Sequence, residues 1–543
     1  ESPDLSSIYT PVDVGFCTPF EAYRSLRFAL RRFETVRGLP RDAALIYSSE
    51  WLPNHYSTRD IFTGEILNTL LALYRIGQGD AAEPFRRAID GSYFTGPAPG
   101  STGYVIARDG VHRPHTDFTD TTSMYVRNVV DGLFGLQVFA PDNRVIVQPS
   151  FPSDWKHASI RCPAAAYEYT LDGATERLKL KTPVARAATI RLRARSAEIV
   201  KVSANGKPVE HTVAPGIGCA WVVVHLPATG ESQVAVEYGA ESLPKISGPT
   251  TGAPGSACTV RIDRGRIEGV RTTKGDVGDA KISADGRECI LPLPAESGTP
   301  TFFVAVRHHA SRMWLPVEVE VREPTPVAST KPVPALRAKT IDLAKFRNQR
   351  LADLHRNRYD PRIAPFQWAK RDGLRTVQAN GRTWWERNMV KEWDTATLAA
   401  AKGRFVSDNG IPFDVAATGK DAVFTSRYTN FPSRVEIPVN QRTRKVCVLL
   451  AASIPVMQSR MDNGRVTVVF EDGTQRAVVL RDPETIDDWI GSGYGKPYLE
   501  KGGSRPQPLG NNTHAVLREI DLGETKAVRS LILETSTNET LIG

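Results

Sequence analysis

The sequence is poor in several things, and each absence removes a class of protein. Cysteine occurs six times in 543 residues, too sparsely for a scaffold stapled by disulfides. No CxxC, HExxH or tight His/Cys cluster occurs, so the expectation is no metal site and no cofactor. No run approaches the roughly eighteen consecutive apolar residues of a membrane helix, and no helical span is expected. Internal repeats and low-complexity tracts are missing too. Lys+Arg 69 against Asp+Glu 60 leaves a net charge of +9. Without a Lys/Arg block, so dilute an excess is not the footprint of nucleic-acid binding.

What remains is ordinary in bulk: 41% hydrophobic and 24% charged residues, enough to build cores and too few charges for wholesale disorder. The length suggests about three or four domains. The chain opens ESPDLSSIYT, with no Met and no targeting segment, and stops at ETLIG inside an apolar, strand-like run. Both ends read as cuts from a longer precursor. The expected location is periplasmic or extracellular.

Periodicity divides the chain. Residues 20–37 place Leu26, Leu30, Phe33 and Val36 at helical spacing among arginines, which predicts an amphipathic outer helix ended by Gly38 and Pro40. Residues 61–76 and 119–138 are apolar on most faces and predict buried helices, with a short helix at 82–90 between them. Long loops at 41–60 and 91–118 separate them, and long loops in compact domains tend to carry function. From Arg144 the period falls to two. Strand-like runs recur with turn signals at Asn205-Gly206, Asp285-Gly286, Asn463-Gly464 and Asp472-Gly473. Cys258 and Cys289 lie in two strand-like runs of one small β region, as a bridge or as two buried thiols.

The segment FTDTTSMYVRNVVDGLFGLQVFAPDNRVIVQPSFPSDWKHASIRCP resembles the end of the toroid in six-hairpin (α/α)6 glycoside hydrolases. Val130, Gly132, Leu133, Gly135 and Leu136 match a VxGLxGL-like helix ending, and Pro149, Pro152 and Trp155 match the strand that follows it. MDNGRVTVVFEDGTQ and NNTHAVLREIDLG look like the jelly roll appended to bacterial polysaccharide-degrading members. The resemblance implies an α+β multidomain chain. Residues 1–140 would be the C-terminal part of a toroid, 141–242 a β-sandwich, 243–322 a small Ig-like module, 323–336 a Pro-rich linker and 337–543 an independent jelly-roll-like sandwich. A whole toroid has more helices than this segment supplies. An upstream segment or a second chain is therefore the expected partner, without which 1–140 should not fold.

Glycoside hydrolysis needs two carboxyl groups about the scissile bond. The candidates are Glu50, Asp117 and Asp120. Trp51 beside Glu50 offers a stacking surface and a desolvating wall that would keep the acid protonated. Asp120 also suits the start of the last helix, where backbone N–H groups welcome a carboxylate. Substrate contacts are expected from Trp51, His55, Tyr56, Arg59, Glu65 and His115. Glu65 alternatively pairs with Arg59 or Arg127, since a lone carboxylate in a buried helix is costly. His112 is a further candidate for sugar hydroxyls, and Trp384, Trp385 and Trp393 form a cluster suited to core packing or stacking. Two rival readings stand beside hydrolysis. Asn54, His55, Tyr56 and Arg59 are the chemical set of a polysaccharide lyase, though contiguous. A carbohydrate-binding or structural subunit of a two-chain enzyme is the other.

Overall fold

The computed structural model describes residues 3–51, 60–93, 103, 105–113, 119–322, 337–359, 371–372, 394–489, 499, 504–510 and 513–543. The chain is β-rich and multidomain. It divides into two compact units: Leu5–Tyr47 with Ile61–Pro326, and Glu1–Asp4 with Ser48–Asp60 and Val327–Gly543.

The first unit opens on α-helices α1 (Leu5–Asp13), α2 (Pro19–Arg32), α3 (Thr63–Arg75), α4 (Gly79–Ser92) and α5 (Thr119–Arg127). A capping box starts α2: the Thr18 hydroxyl accepts the Glu21 N–H, and the Glu21 carboxylate accepts the Thr18 N–H at 2.9 Å. The arginines of α2 are engaged rather than merely solvated. Arg27 and Arg31 reach Glu318 at 3.0 and 2.7 Å, while Phe20 packs edge-on against Phe303 and Trp314. Helix α3 buries Ile66, Leu67, Leu70, Leu71 and Leu73 together, in keeping with its all-round apolar sequence.

Two helices are shorter than their sequence pattern. α2 stops at Arg32, and Thr35–Leu39 is a strand paired with Ala43–Ile46, so Val36 is not helical. β-Branched Thr35 and Val36 are stiff at χ1 and favour that choice, and the partner strand is wholly buried. α5 ends at Arg127. Asn128–Leu133 continues as a wider turn in which the Phe134 N–H reaches the Val129 carbonyl, and Leu136–Phe139 is a strand. Two glycines enforce this exit. A Cβ on Gly132 would stand 2.6 Å from the Tyr74 ring, and one on Gly135, at φ +59°, would stand 1.9 Å from the Gln148 carbonyl oxygen. Helix α1, with Pro11 inside it, has no counterpart in the sequence reading.

A nine-stranded mixed sheet follows, built on the antiparallel pair Thr175–Arg193 and Ala220–Tyr238. The Asn205-Gly206 turn has both φ angles positive, as a tight hairpin requires. Phe151 and Trp155 stack at 5.6 Å and pack against both the helical core and the sheet core. Two four-stranded sheets occupy the stretch between Ile246 and Glu318. Cys258 and Cys289 lie there on neighbouring strands as free, buried thiols, not a bridge. Burial pushes the Cys289 thiol up to about 11.

The second unit centres on a five-stranded sheet in which Arg434–Leu450 and Asp462–Phe470 both pair with Thr513–Thr535. Asp472-Gly473 makes the hairpin turn that its sequence signals. Asn463-Gly464 does not turn. It lies within the strand Asp462–Phe470, at a bulge. The Asn463 side chain donates to the Gln458 carbonyl at 2.8 Å and accepts the Asp482 N–H at 3.0 Å, and a Cβ on Gly464 would meet the Glu534 carbonyl at 2.3 Å. Long-range bonds therefore override the local turn signal. Trp384, Trp385, Trp393 and the stretch 323–336 lie outside the described residues.

Glycine substitutions separate these roles. Gly91 in α4 has open space and no left-handed φ, so Gly91→Ala should raise stability by about 0.4–1 kcal/mol. Gly135→Ala should lower it by more than that. Denaturant melts of the two variants check the opposite signs.

Candidate active site

Glu50 sits on a short segment pinned from both sides. The Ser48 N–H donates to the Asp60 carbonyl at 2.7 Å, and the Ser48 hydroxyl accepts the Asp60 N–H at 3.3 Å. Ser49 bridges to Asp4, and its hydroxyl accepts the Trp51 N–H at 3.1 Å. The Glu50 side chain is 10% exposed, with the Arg460 Nε 4.0 Å from its Oε1. Trp51 is buried beside it. A cation thus faces Glu50 on one side, with Trp51 next to it in the chain.

Arg460 leads into a buried acidic region of the same unit. Its backbone, at φ +57°, donates its N–H to the Asp482 carbonyl at 2.6 Å. The Asp482 carboxyl is 3% exposed. Burial, then the neighbouring Asp487 and Asp488, push it well above the usual carboxylate range against the opposing pull of Ser459 and Arg460. Asp487, fully buried, lies 3.1 Å from the His514 Nε2. Asp488 accepts the Ile454 N–H at 2.8 Å. Asp482 is too deeply buried to meet a large substrate, whereas Glu50 keeps a margin of exposure. None of Arg460, Asp482, Asp487, Asp488 and His514 was a sequence candidate. The one available signal was the run RDPETIDDW at 481–489, where acids crowd beside a tryptophan.

In the first unit, Glu65 and Asp120 stand in the first turns of α3 and α5. The two helix starts adjoin, since the Asp120 Oδ2 lies 3.6 Å from where a Cβ on Gly64 would be. Desolvation pushes the Asp120 carboxyl up, while its own N–H and that of Thr121 pull it down. Arg127 is committed elsewhere than Glu65: it holds Asp13 at 2.8 and 2.9 Å and Asp131 at 3.4 Å. A second acid missed in the sequence is Asp90, ion-paired with Arg86. It accepts the Tyr125 hydroxyl at 3.1 Å, and Tyr93 stacks on Tyr125 at 4.2 Å. Burial pushes Asp90 up. His55, Tyr56, Arg59, His115 and Asp117 lie outside the described residues. The described part of His112 is its backbone, in a short strand.

Comparison with known proteins gives little. No family model and no curated protein matches the chain. Among solved structures, a GH127 β-L-arabinofuranosidase from Geobacillus stearothermophilus T6 aligns at 11% identity over 58% of this chain, with a TM-score of 0.22. The chain spans about half of that protein, 55% of its length. A surface glycan-binding protein of the Bacteroides ovatus mixed-linkage glucan locus, solved with a heptasaccharide, aligns at 8% identity over 70% of this chain and 84% of its own, TM-score 0.13. The titin domains Z1Z2 in complex with telethonin align at 14% identity over 31% of this chain and all of theirs, TM-score 0.12. Superpositions this loose assign neither fold nor activity.

Asp482 provides a pH test. Its folded-state value lies above the ordinary unfolded one near ~4. The stability it contributes is complete below that value and is lost as pH rises toward the folded one, because the unfolded chain releases its proton first. Asp482→Asn keeps the shape of the neutral acid. The variant should lose less stability than the parent as pH rises above the ordinary carboxylate range. Parallel stability–pH curves would mean that Asp482 is ionised in the folded protein.

Proposed function

We propose that this chain is part of a six-hairpin glycoside hydrolase that cleaves a plant, algal or microbial polysaccharide or oligosaccharide outside the cytoplasm. In this reading residues 1–140 belong to an (α/α)6 toroid completed by an upstream segment or a second chain. Residues 141–242, 243–322 and 337–543 are the appended β modules, and 323–336 links the last of them. The observation that carries the proposal is Glu50: a nearly buried carboxylate beside Trp51, opposed by Arg460, on a segment pinned at Asp4 and Asp60. Pinning limits the motion of an acid that must act at one bond.

Hydrolysis then needs Glu50 and a second carboxyl in opposite protonation states. Glu50 is proposed for one of these roles, as acid or base. Asp117 and Asp120 are proposed for the second role, and the upward push on Asp120 suits a proton donor. His55, Tyr56, Arg59, Glu65 and His115 are proposed as sugar ligands, with Trp51 as a stacking face.

The test is release of reducing ends from a panel of polysaccharides by the full chain, with and without its upstream segment. Glu50→Gln should cut turnover by about a hundredfold or more with little change in melting, and Asp117→Asn or Asp120→Asn should do the same. Products with unsaturated, ultraviolet-absorbing ends would instead identify a lyase. Glycan binding without release of reducing ends would identify a binding subunit.

A further inference from the structure

We propose that Glu241, His308 and His309 form a binding site for a divalent transition-metal ion such as Zn2+, independent of the hydrolase reading. The three residues come from two places in the first unit. Glu241 lies three residues beyond the strand Ala220–Tyr238, and its carbonyl is held by the Ala197 N–H at 2.8 Å and the Ser196 hydroxyl at 2.5 Å. His308 ends the strand Thr301–His308, and His309 begins the tight turn into Ser311–Glu318.

Successive side chains of a strand point to opposite faces, so adjacent histidines do not ordinarily share a ligand. Here His309 takes a left-handed backbone, φ +49°. The two imidazoles are brought to 4.6 Å between centroids. One potential ligand atom from each of the three residues lies within 4.8 Å of the others.

The His308–Glu241 contact points to an ion rather than to a hydrogen bond. The His308 Nε2 is buried and makes no hydrogen bond, although the Glu241 Oε2 is only 3.4 Å away. The distance is that of an ion pair, not of a formed hydrogen bond. In a tetrahedral zinc site with bonds of about 2.0–2.1 Å, two ligand atoms stand about 3.3–3.4 Å apart. The pair already has that edge length, and His309, exposed at the turn, is free to swing toward the third position. Imidazole and carboxylate together suit Zn2+ and its first-row neighbours better than Ca2+ or Mg2+. With three protein ligands, the fourth position falls to water. Glu241 belongs to the segment leaving the nine-stranded sheet and the histidines to a hairpin of the next module, so the ion would clip the two together.

The experiment uses the full chain stripped by chelator, titrated with Zn2+ alone in a calorimeter, and with Co2+ followed by visible absorption. One site per chain is expected, with a four-coordinate cobalt spectrum lacking thiolate charge-transfer bands. His308→Ala and Glu241→Gln should each weaken binding at least about tenfold, without disturbing the secondary structure of the metal-free protein. Absence of saturable Zn2+ uptake, an octahedral or thiolate cobalt spectrum, or affinity unchanged in both variants would overturn the site. The cobalt spectrum needs no variant and decides the question should either substitution fail to fold. None of these readouts involves glycan cleavage, so the hydrolase reading stands or falls apart from this one.

Discussion

Each unit depends on one long antiparallel backbone pairing. In the first, Ala220–Tyr238 pairs with Thr175–Arg193 from Trp221 opposite Arg193 to Glu237 opposite Thr175, with an irregularity at Thr229. In the second, Arg434–Leu450 runs against Thr513–Thr535 in the same way. A buried amide must find a partner or cost free energy comparable to a lost hydrogen bond, and these strands satisfy each other over most of their length. The shorter strands then add to edges already fixed. The chemistry-bearing residues stand on the same frame: Glu241 just past one long strand, His514 near the start of another, and Asp482 directly after an edge strand.

Buried carboxylates fall into two kinds by what surrounds them. Glu176 is 4% exposed yet fully answered, accepting the hydroxyls of Tyr169 and Tyr238 at 2.8 Å each and facing Arg195 at 3.2 Å. Such a network holds a charge in a core and fixes which strands meet. Asp482 has acids as its strongest electrostatic neighbours and is driven toward the neutral form. Glu50, its side chain 10% exposed, faces Arg460 at 4.0 Å.

The legible parts of the sequence were those decided locally. The all-round apolar stretch at 61–76 became α3, and Asn205-Gly206 and Asp472-Gly473 turned, because Asn205, Gly206 and Gly473 readily take the φ > 0 they show there. The misread parts were decided by distant groups. Val36 left the helix for a strand partner at Leu45. Asn463 stayed in a strand because Gln458 and Asp482 occupy its side chain. Glycines 132 and 135 were read as a family-like helix ending; their physical role is clearance, for Tyr74 and for the Gln148 carbonyl. The site was legible only by halves. The Glu50–Trp51 pair is visible in sequence, but Arg460 is more than four hundred positions away.

That separation bears on how the chain is divided. A Pro-rich stretch at 323–336 marks a boundary for anyone reading composition, and the strands beyond it make a sheet of their own. Yet the compact unit containing those strands also takes in Glu1–Asp4 and Ser48–Asp60, which lie hundreds of residues earlier. The segment bearing Glu50 follows Tyr47 of the helical unit in sequence and belongs, by its contacts, to the unit of the later strands. A fragment beginning after the linker keeps Arg460 and the buried acids but loses the carboxylate opposite Arg460. Composition marks a boundary along the chain; it does not mark which distant segments group together, and Glu50 lies in a segment grouped with strands hundreds of residues later.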